Sequence, residues 1–411
     1  MVSSREASGQ RSETVRRANL STIINELHLR GPLSRSELVL RTGLTRSAIR
    51  GLIGELSAAG LVSEERSTSI GMPGRPSPLA RPRHDRVVVL AIEIAVDSLA
   101  VALVGLGGNV IELVRVDRAR GHLDAERIVA DLARLAKPLI ARLPARMTVV
   151  GIGVSMVGVI RAPDGMVRVA PNLGWRDVPL PELLARALQL AVPVSVANDA
   201  DLGALAEHRR GAAVGVDDVL YIAGEVGVGG GVIAAGRALA GASGYAGEIG
   251  HMPVNPSGAD CRCGSIGCWE TEVGERVLLQ RAGQRQTGGR AAVDAVFAAA
   301  EAGAPQAREA LATTGSWLGI GLAGLVNVFN PSLIVLGGLF GRMHPLVSAE
   351  VDDALDRRAF RAAREVVRVV PAALRMDAPL LGAAELAFEP LLVDPAGWLA
   401  PRPALVRVAG A

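Results

Sequence analysis

Gly247-Glu248-Ile249-Gly250-His251 and, starting ten residues after that histidine, Cys261-Arg262-Cys263-Gly264-Ser265-Ile266-Gly267-Cys268-Trp269-Glu270 contain every cysteine of this 411-residue chain. An odd number of cysteines cannot all be closed into disulfides, and neighbours spaced Cys-x-Cys do not readily bridge each other. Three soft thiolates and one imidazole on a glycine-rich loop match the Cys₃His set of a closed tetrahedral zinc site. His251, Cys261, Cys263 and Cys268 are therefore the expected ligands and Zn²⁺ the expected cofactor. Four protein ligands leave no position for a reactive water, so the ion is expected to be structural. The alternative, a loop of free thiols, would cluster reactive groups without structural gain.

From Gly244 to Glu270 the sequence closely resembles the signature of the ROK family, which groups sugar kinases with sugar-responsive transcriptional repressors. The resemblance runs from about Val15 to about Leu386. It maps the family's zinc set onto the same four residues. It implies sugar contacts at Asn172 in Pro171-Asn172-Leu173-Gly174-Trp175, at Asn198 and Asp199, and at Glu248, His251 and Glu270. Trp175 and Trp269 are candidates either to stack on a sugar face or to pack in the core.

Length and 49% apolar content suit two to three domains with a sizeable core. No uninterrupted apolar run reaches the roughly 18 residues of a membrane span, and the opening Met1-Val2-Ser3-Ser4-Arg5-Glu6 lacks the apolar centre of a signal peptide. A cytoplasmic protein without a membrane partner is expected, in a compartment that favours metal binding over disulfides. Net charge is only +3, but residues 1–86 hold 14 arginines against 8 acidic residues. A basic head on a slightly acidic body points to a polyanionic partner for the head.

Within that head, Val15, Ala18, Ile23 and Leu27 fit one helix ended by Gly31-Pro32. Ser34-Arg35-Ser36-Glu37 is a capping box opening a second, short helix that stops at Thr42-Gly43. Thr45 caps a third, whose apolar stripe is Ile49, Leu52, Ile53 and Leu56. These pieces predict a winged helix-turn-helix over residues 1–70, with a β-wing near Ser63 to Ser69. Its expected DNA contacts are Ser34, Arg35, Thr45, Arg46, Ser47 and Arg50, together with Arg75 in the Pro/Gly/Arg-rich segment 71–86. That segment reads either as a linker or as a basic arm. The head also resembles the DNA-binding head of ROK repressors, which the family's kinases generally lack.

Beyond Arg86, strands are expected at 87–94, 99–104, 110–116, 148–154 and 192–197, with helices near 123–143 and 180–190. Their order resembles a lobe of the two-lobed, ribonuclease H-like fold of the sugar kinase/actin/Hsp70 superfamily. An α/β fold results, with a first lobe over 87–200 and a second over 201–411. The second lobe carries the zinc-binding insert, and its C-terminal helix either completes it or packs back on the first. In ROK kinases the first phosphate turn reads Asp-x-Gly-Gly-Thr; here it is Glu93-Ile94-Ala95-Val96-Asp97. The kinases' second turn, Gly-Thr-Gly-x-Gly-Gly-Gly, becomes Glu225-Val226-Gly227-Val228-Gly229-Gly230-Gly231. Side chains at Ala95 and Val96 obstruct close backbone approach, and carboxylates at Asp97 and Glu225 repel a triphosphate. No catalytic residues are therefore assigned. Asp199, which stands at the kinases' proton acceptor, keeps a sugar-binding role, and Asp201 reads as a helix-start residue. The expectation is a zinc-containing, sugar-responsive DNA-binding repressor, forming a homodimer or homotetramer on operator DNA. The alternative is a sugar kinase with a DNA-binding head.

Overall fold

The structure, a computed structural model, describes residues 4–65, 77–284 and 288–399. Its head comprises α1 (Ser4–Arg30), β1 (Leu33–Ser34), α2 (Arg35–Thr42), α3 (Arg46–Ala58), β2 (Val62–Glu65) and β3 (Leu79–Pro82). The capping box forms as the sequence requires: the Ser34 hydroxyl accepts from the Glu37 amide, and the Glu37 carboxylate accepts from the Ser34 amide at 2.7 Å. Gly43 ends α2 in the left-handed conformation, and Thr45 caps α3. Leu20, Ile23, Ile24 and Leu27 of α1 meet Leu38 of α2 and Ile49, Ile53 and Leu56 of α3, all fully buried. The three strands form an antiparallel sheet in the order β1-β3-β2.

That sheet takes in part of the segment 71–86, read from the sequence as a linker or a basic arm. Leu79–Pro82 is a strand paired with both other strands of the head, because Leu79 to Pro82 alternate partly buried and buried. The arginines around it are held in-house: Arg81 faces Glu65 and Arg83 grips Asp85 at 2.8 Å. Arg75 and the far part of the wing lie outside the described residues.

The first lobe follows with β4 (Val87–Ile94), β5 (Ser98–Gly105), β6 (Asn109–Asp117), α4 (Ala125–Ala141), β7 (Thr148–Met156), β8 (Val159–Arg161), β9 (Met166–Ala170), β10 (Trp175–Val178), α5 (Leu180–Leu188) and β11 (Val194–Asn198). Its main sheet runs β11-β7-β4-β5-β6, with β11, β7 and β4 parallel and the β4-β5-β6 pairings antiparallel. β4 is buried along its whole length, as a strand covered on both faces must be. The separate sheet β8-β9-β10 was not expected; its strands are too short and mixed to stand out in the sequence, yet β9 and β10 carry the Asn172 turn between them.

The remaining elements are α6 (Asp199–Arg210), β12 (Val219–Gly224), β13 (Val228–Ala234), β14 (Arg237–Ala238), α7 (Glu270–Val273), α8 (Glu275–Arg281), α9 (Arg290–Glu301), α10 (Pro305–Phe329), β15 (Leu333–Gly337), α11 (Gly338–Arg358), α12 (Arg361–Arg364), β16 (Arg368–Pro371), α13 (Ala378–Val393) and α14 (Pro395–Leu399). The sheet of the second lobe, β14-β13-β12-β15-β16, repeats the first in strand order and direction. The β4–β5 and β12–β13 turns are thus equivalent, one from each lobe. α10 is long and apolar enough to cross a membrane, but it lies in the second lobe's core, with Leu311, Leu318, Leu322 and Val326 buried there. α13 packs back on the first lobe: Ala383 and Ala387 press on Gly153 and Gly151 of β7. One apolar cluster joins α1, α2 and α3 to β4, β5 and α13, so head and first lobe share a core.

Candidate ligand and metal site

The zinc-loop residues are assembled by backbone turns. The Gly264 amide donates to the Cys261 carbonyl at 3.0 Å and the Cys261 amide to the Ser265 carbonyl at 2.8 Å, folding Cys261 and Cys263 into one knuckle. A bridge between Pro253 and Cys268 sets the third thiol beside the short helical turn Ile249–His251. The four ligand atoms lie within 4.8 Å of one another. Cys263 Sγ to Cys268 Sγ is 3.6 Å, and Cys261 Sγ to His251 Nδ1 is 3.7 Å. A tetrahedral zinc with bonds of about 2.3 Å to sulfur and 2.0 Å to nitrogen would separate its ligands by about 3.5–3.8 Å. The donor set fits a metal of that size, with His251 presenting Nδ1. His251 Nε2 then faces the Glu248 carboxylate at 3.8 Å, an arrangement that orients a metal-bound imidazole.

Around this loop lies a cleft cavity of ≈ 520 Å³, lined from the first lobe by Val96, Arg120 and Asn172 and from the second by Val226, Arg262 and Glu275. β11 ends at Asn198, and ligands in α/β folds bind at such carboxyl ends. Asn198 caps α6: its Oδ1 accepts from the Ala200 and Asp201 amides while its Nδ2 donates to the Gly158 carbonyl at 3.0 Å. Its side chain is thus committed to the backbone, and it aims the next residue, Asp199. Burial pushes Asp199 up to about 7, with the charge of Glu93 adding to the rise and the Ala200 amide opposing it. Asp201 also reaches about 7 through burial and the charges of Asp199 and Glu248. It stands in the first turn of α6, as its helix-start reading requires. Burial raises Glu248 as well, with Glu270 adding to the rise and His251 opposing it.

Glu270 opens α7, and its carboxylate lies 3.1 Å from Cys261 Sγ, which ties it to the loop. Asn172 Oδ1 accepts from Arg262 at 2.9 Å across the cleft, so the arginine between Cys261 and Cys263 ties the lobes together. Arg262 had no distinguishing signal in the sequence. Both tryptophans are packing residues: Trp175 donates to the Leu123 carbonyl and Trp269, fully buried, to that of Trp317.

At the phosphate turns the structure refines the electrostatic argument. Asp97 is not a bare carboxylate, because Arg120 binds it at 2.9 Å and also grips both oxygens of Glu275. Glu93 is held by Arg115 at 2.8 Å. Glu225 has no ion-pair partner among the described residues, and burial with the charges of Asp199 and Asp97 raises it to about 7. The turns are obstructed partly by side chains and partly by this cross-lobe ion pairing.

In the head, Arg46, Ser47 and Arg50 are exposed on α3, and neither arginine has an ion-pair partner among the described residues. Ser34 and Thr45 serve as helix caps. Arg35 departs from its expected DNA contact, for it clasps Glu64 of β2 through two bonds of 2.6 Å. A guanidinium matched in this way braces the wing and is poorly placed to neutralise a phosphate.

A model of the ROK family matches residues 89–389, leaving the head outside it. The xylose repressor of Bacillus subtilis (strain 168) is 28% identical over 382 residues, covering 92% of this chain and 97% of the repressor. A solved ROK family transcriptional regulator, described as a homolog of the E. coli MLC protein, superimposes with a TM-score of 0.74 at 24% identity, covering 94% of this chain and 97% of its own. A ROK family glucokinase from Streptomyces griseus, in complex with glucose and AMPPNP, gives 0.63 at 31% identity, covering 74% of this chain and 99% of the kinase.

Proposed function

The chain belongs to the ROK family, and from that premise we propose that it is a sugar-responsive transcriptional repressor. The carrying observation is that the carboxylates Asp199, Asp201 and Glu248 keep no arginine partner among the described residues, while the phosphate turns carry Ala95 and Val96 in place of glycines and an Arg120 bridge from Asp97 to Glu275. Such a cleft accepts sugar hydroxyls but offers no backbone cradle to a nucleotide. The repressor-length match supports the same reading, since it includes the head that the kinase match omits.

The head is proposed to be a winged helix-turn-helix that lays α3 in the major groove, with Arg46 and Arg50 reading bases or phosphates. Asp199 and Glu248, with Glu270 and Asn172, are proposed as sugar contacts. His251, Cys261, Cys263 and Cys268 are proposed to hold zinc, which when bound rigidifies the loop that carries Glu248 and Glu270. A symmetric homodimer or homotetramer would match the two half-sites of a palindromic operator.

The test is a DNA-binding titration with and without sugar, beside a coupled phosphorylation assay. Operator affinity should change on adding sugar, and Arg46→Ala or Arg50→Ala should weaken binding by about 1–3 kcal/mol where a base edge is read. Phosphoryl transfer at roughly 1–10³ s⁻¹ would instead establish the second reading, a sugar kinase, which the 31% identity to the glucokinase favours.

A further inference from the structure

One group of buried charges has no part in the cleft. His28, in the last turns of α1, is fully buried, and its Nε2 lies 3.1 Å from the carboxylate of Glu385, itself 1% exposed, on α13. Arg209 and Arg210, the last residues of α6, bind the same carboxylate. Arg210 also donates to the carbonyls of Gly107 at 3.0 Å and of His28 at 3.3 Å. The His28 carbonyl is one of the C-terminal acceptors that a helix cannot satisfy by itself, so Arg210 caps the end of α1. The Gly107 amide donates to His28 Nδ1 at 3.0 Å. Nδ1 therefore carries the lone pair, and Nε2 faces both the Glu385 carboxylate at 3.1 Å and the Arg210 guanidinium at 2.7 Å, so the ring is wedged between the two charges. Burial lowers the imidazole's pKa, in keeping with that neutral form, although Glu385 opposes the shift.

α6 links this group to the cleft. Its first residue is Asp199 and its last is Arg210, about 18 Å of helix at 1.5 Å per residue. It cannot shift independently of α13. A Cβ on Gly382 of α13 would lie 2.0 Å from the Leu202 carbonyl of α6, so the two backbones are in direct contact. Glu207, buried in α6, accepts from the Ala373 and Leu374 amides just ahead of α13. In turn α13 holds α1, since Ser21 and Asn25 donate to the Leu392 carbonyl. A buried charge cluster is a poor device for stability alone, because desolvation offsets much of its attraction. What it supplies is a fixed geometry between three helices.

We propose that Arg209, Arg210, Glu385 and His28 are positioning residues that carry a change at the Asp199 end of α6 into the end of α1, and so into α2 and α3. The proposal rests on the repressor reading and names the path by which sugar in the cleft alters the head. α1 ends at Arg30, four residues before the cap of α2. Loss of the Arg210 cap would release the segment that sets the angle of the DNA-reading helices.

The test compares the full-length parent with Arg210→Gln, using D-xylose and D-glucose as probes and a duplex selected by the parent from a randomised pool. In the parent, sugar should change duplex affinity by roughly 5–150-fold, the usual span of allosteric coupling. In Arg210→Gln that change should fall below about twofold, while sugar affinity alone and duplex affinity alone each stay within about threefold of the parent. A folded variant that keeps the parent's full sugar response overturns the relay. Arg210→Lys, which keeps the charge but not the forked donor, should restore only part of the response. If Arg210→Gln does not fold, His28→Gln takes its place under the same criteria. A second measurement needs no sugar: adding the duplex should alter amide hydrogen exchange along 199–210 in the parent but not in the variant. A parent whose α6 exchange ignores the duplex overturns the relay even if sugar regulates DNA binding. A parent whose α6 responds to the duplex while neither sugar alters DNA binding supports the relay and removes sugar control by these two probes.

Discussion

The two walls of the cleft carry carboxylates in opposite circumstances. On the phosphate-turn side, Glu93, Asp97 and Glu275 are each matched to a guanidinium, Arg115 or Arg120, and Glu225 alone of the four has no ion-pair partner among the described residues. On the side built from the start of α6, Asp199 and Asp201 have no ion-pair partner among the described residues, and both are pushed up to about 7. A matched charge makes no demand on a ligand. An unmatched, half-buried carboxylate retains acceptor capacity that a hydroxyl can fill. The contrast marks the start of α6 as the side proposed to receive a ligand.

Breaking the open wall at its metal support should have the largest effect. Cys263→Ser should reduce zinc content from one ion per chain to almost none and abolish sugar binding with little global unfolding, as read by elemental analysis, calorimetry and circular dichroism. Protein purified without chelator that holds no zinc would remove this expectation. Next, Asp199→Ala should weaken sugar binding by about 1.5–3 kcal/mol, the range for hydrogen bonds to a charged group. Duplex affinity without sugar should stay unchanged, since Asp199 is on the cleft and not on the head.

The closed wall answers to a different measurement. Arg120→Ala would leave Asp97 and the buried Glu275 unmatched, so urea unfolding should show a loss of about 1–2 kcal/mol without a gain in ATP binding. An ATP-binding variant would mean that the bridge alone, rather than Ala95 and Val96, excludes the nucleotide. The smallest effect is one of pH. Asp199 and Asp201 hold protons in the folded chain up to about pH 7 that they would release near pH 4 when unfolded. Their contribution to stability is therefore greatest at low pH and declines as pH rises from about 4 to about 7. Sugar hydroxyls that donate to the ionised form should bind more tightly as pH rises from 6 to 8, by at most about tenfold per carboxylate. Affinity that falls over that interval would assign the acceptor role to other groups.

Much of this contrast is legible in the chain. The Cys-x-Cys…Cys spacing marks the loop, and the capping boxes and apolar stripes locate the helices of the head to within a residue at Ser34, Gly43 and Thr45. Strong local signals of this kind are set by nearby backbone groups and need no tertiary partner. The strand Leu79–Pro82 was not legible, because its neighbours are Pro and Arg and its pairing partners lie up to 47 residues away, Leu33 opposite Ala80. Nor was the ion pair between Arg35 and Glu64, which engages a residue expected to contact DNA.

By itself, the sequence determined which groups are present: a thiolate–imidazole set, a group of carboxylates, and turns that lack the glycines of the kinase pattern. Those are properties of side chains and of spacing. Only the tertiary structure decided which charges are already satisfied. Arg120 reaches Glu275 across 155 positions, and His28 reaches Glu385 across 357. Whether a carboxylate is a ligand site or a strut depends on who stands within 3 Å of it. That distance is fixed by the packing of both lobes and the head, not by the neighbours in the chain.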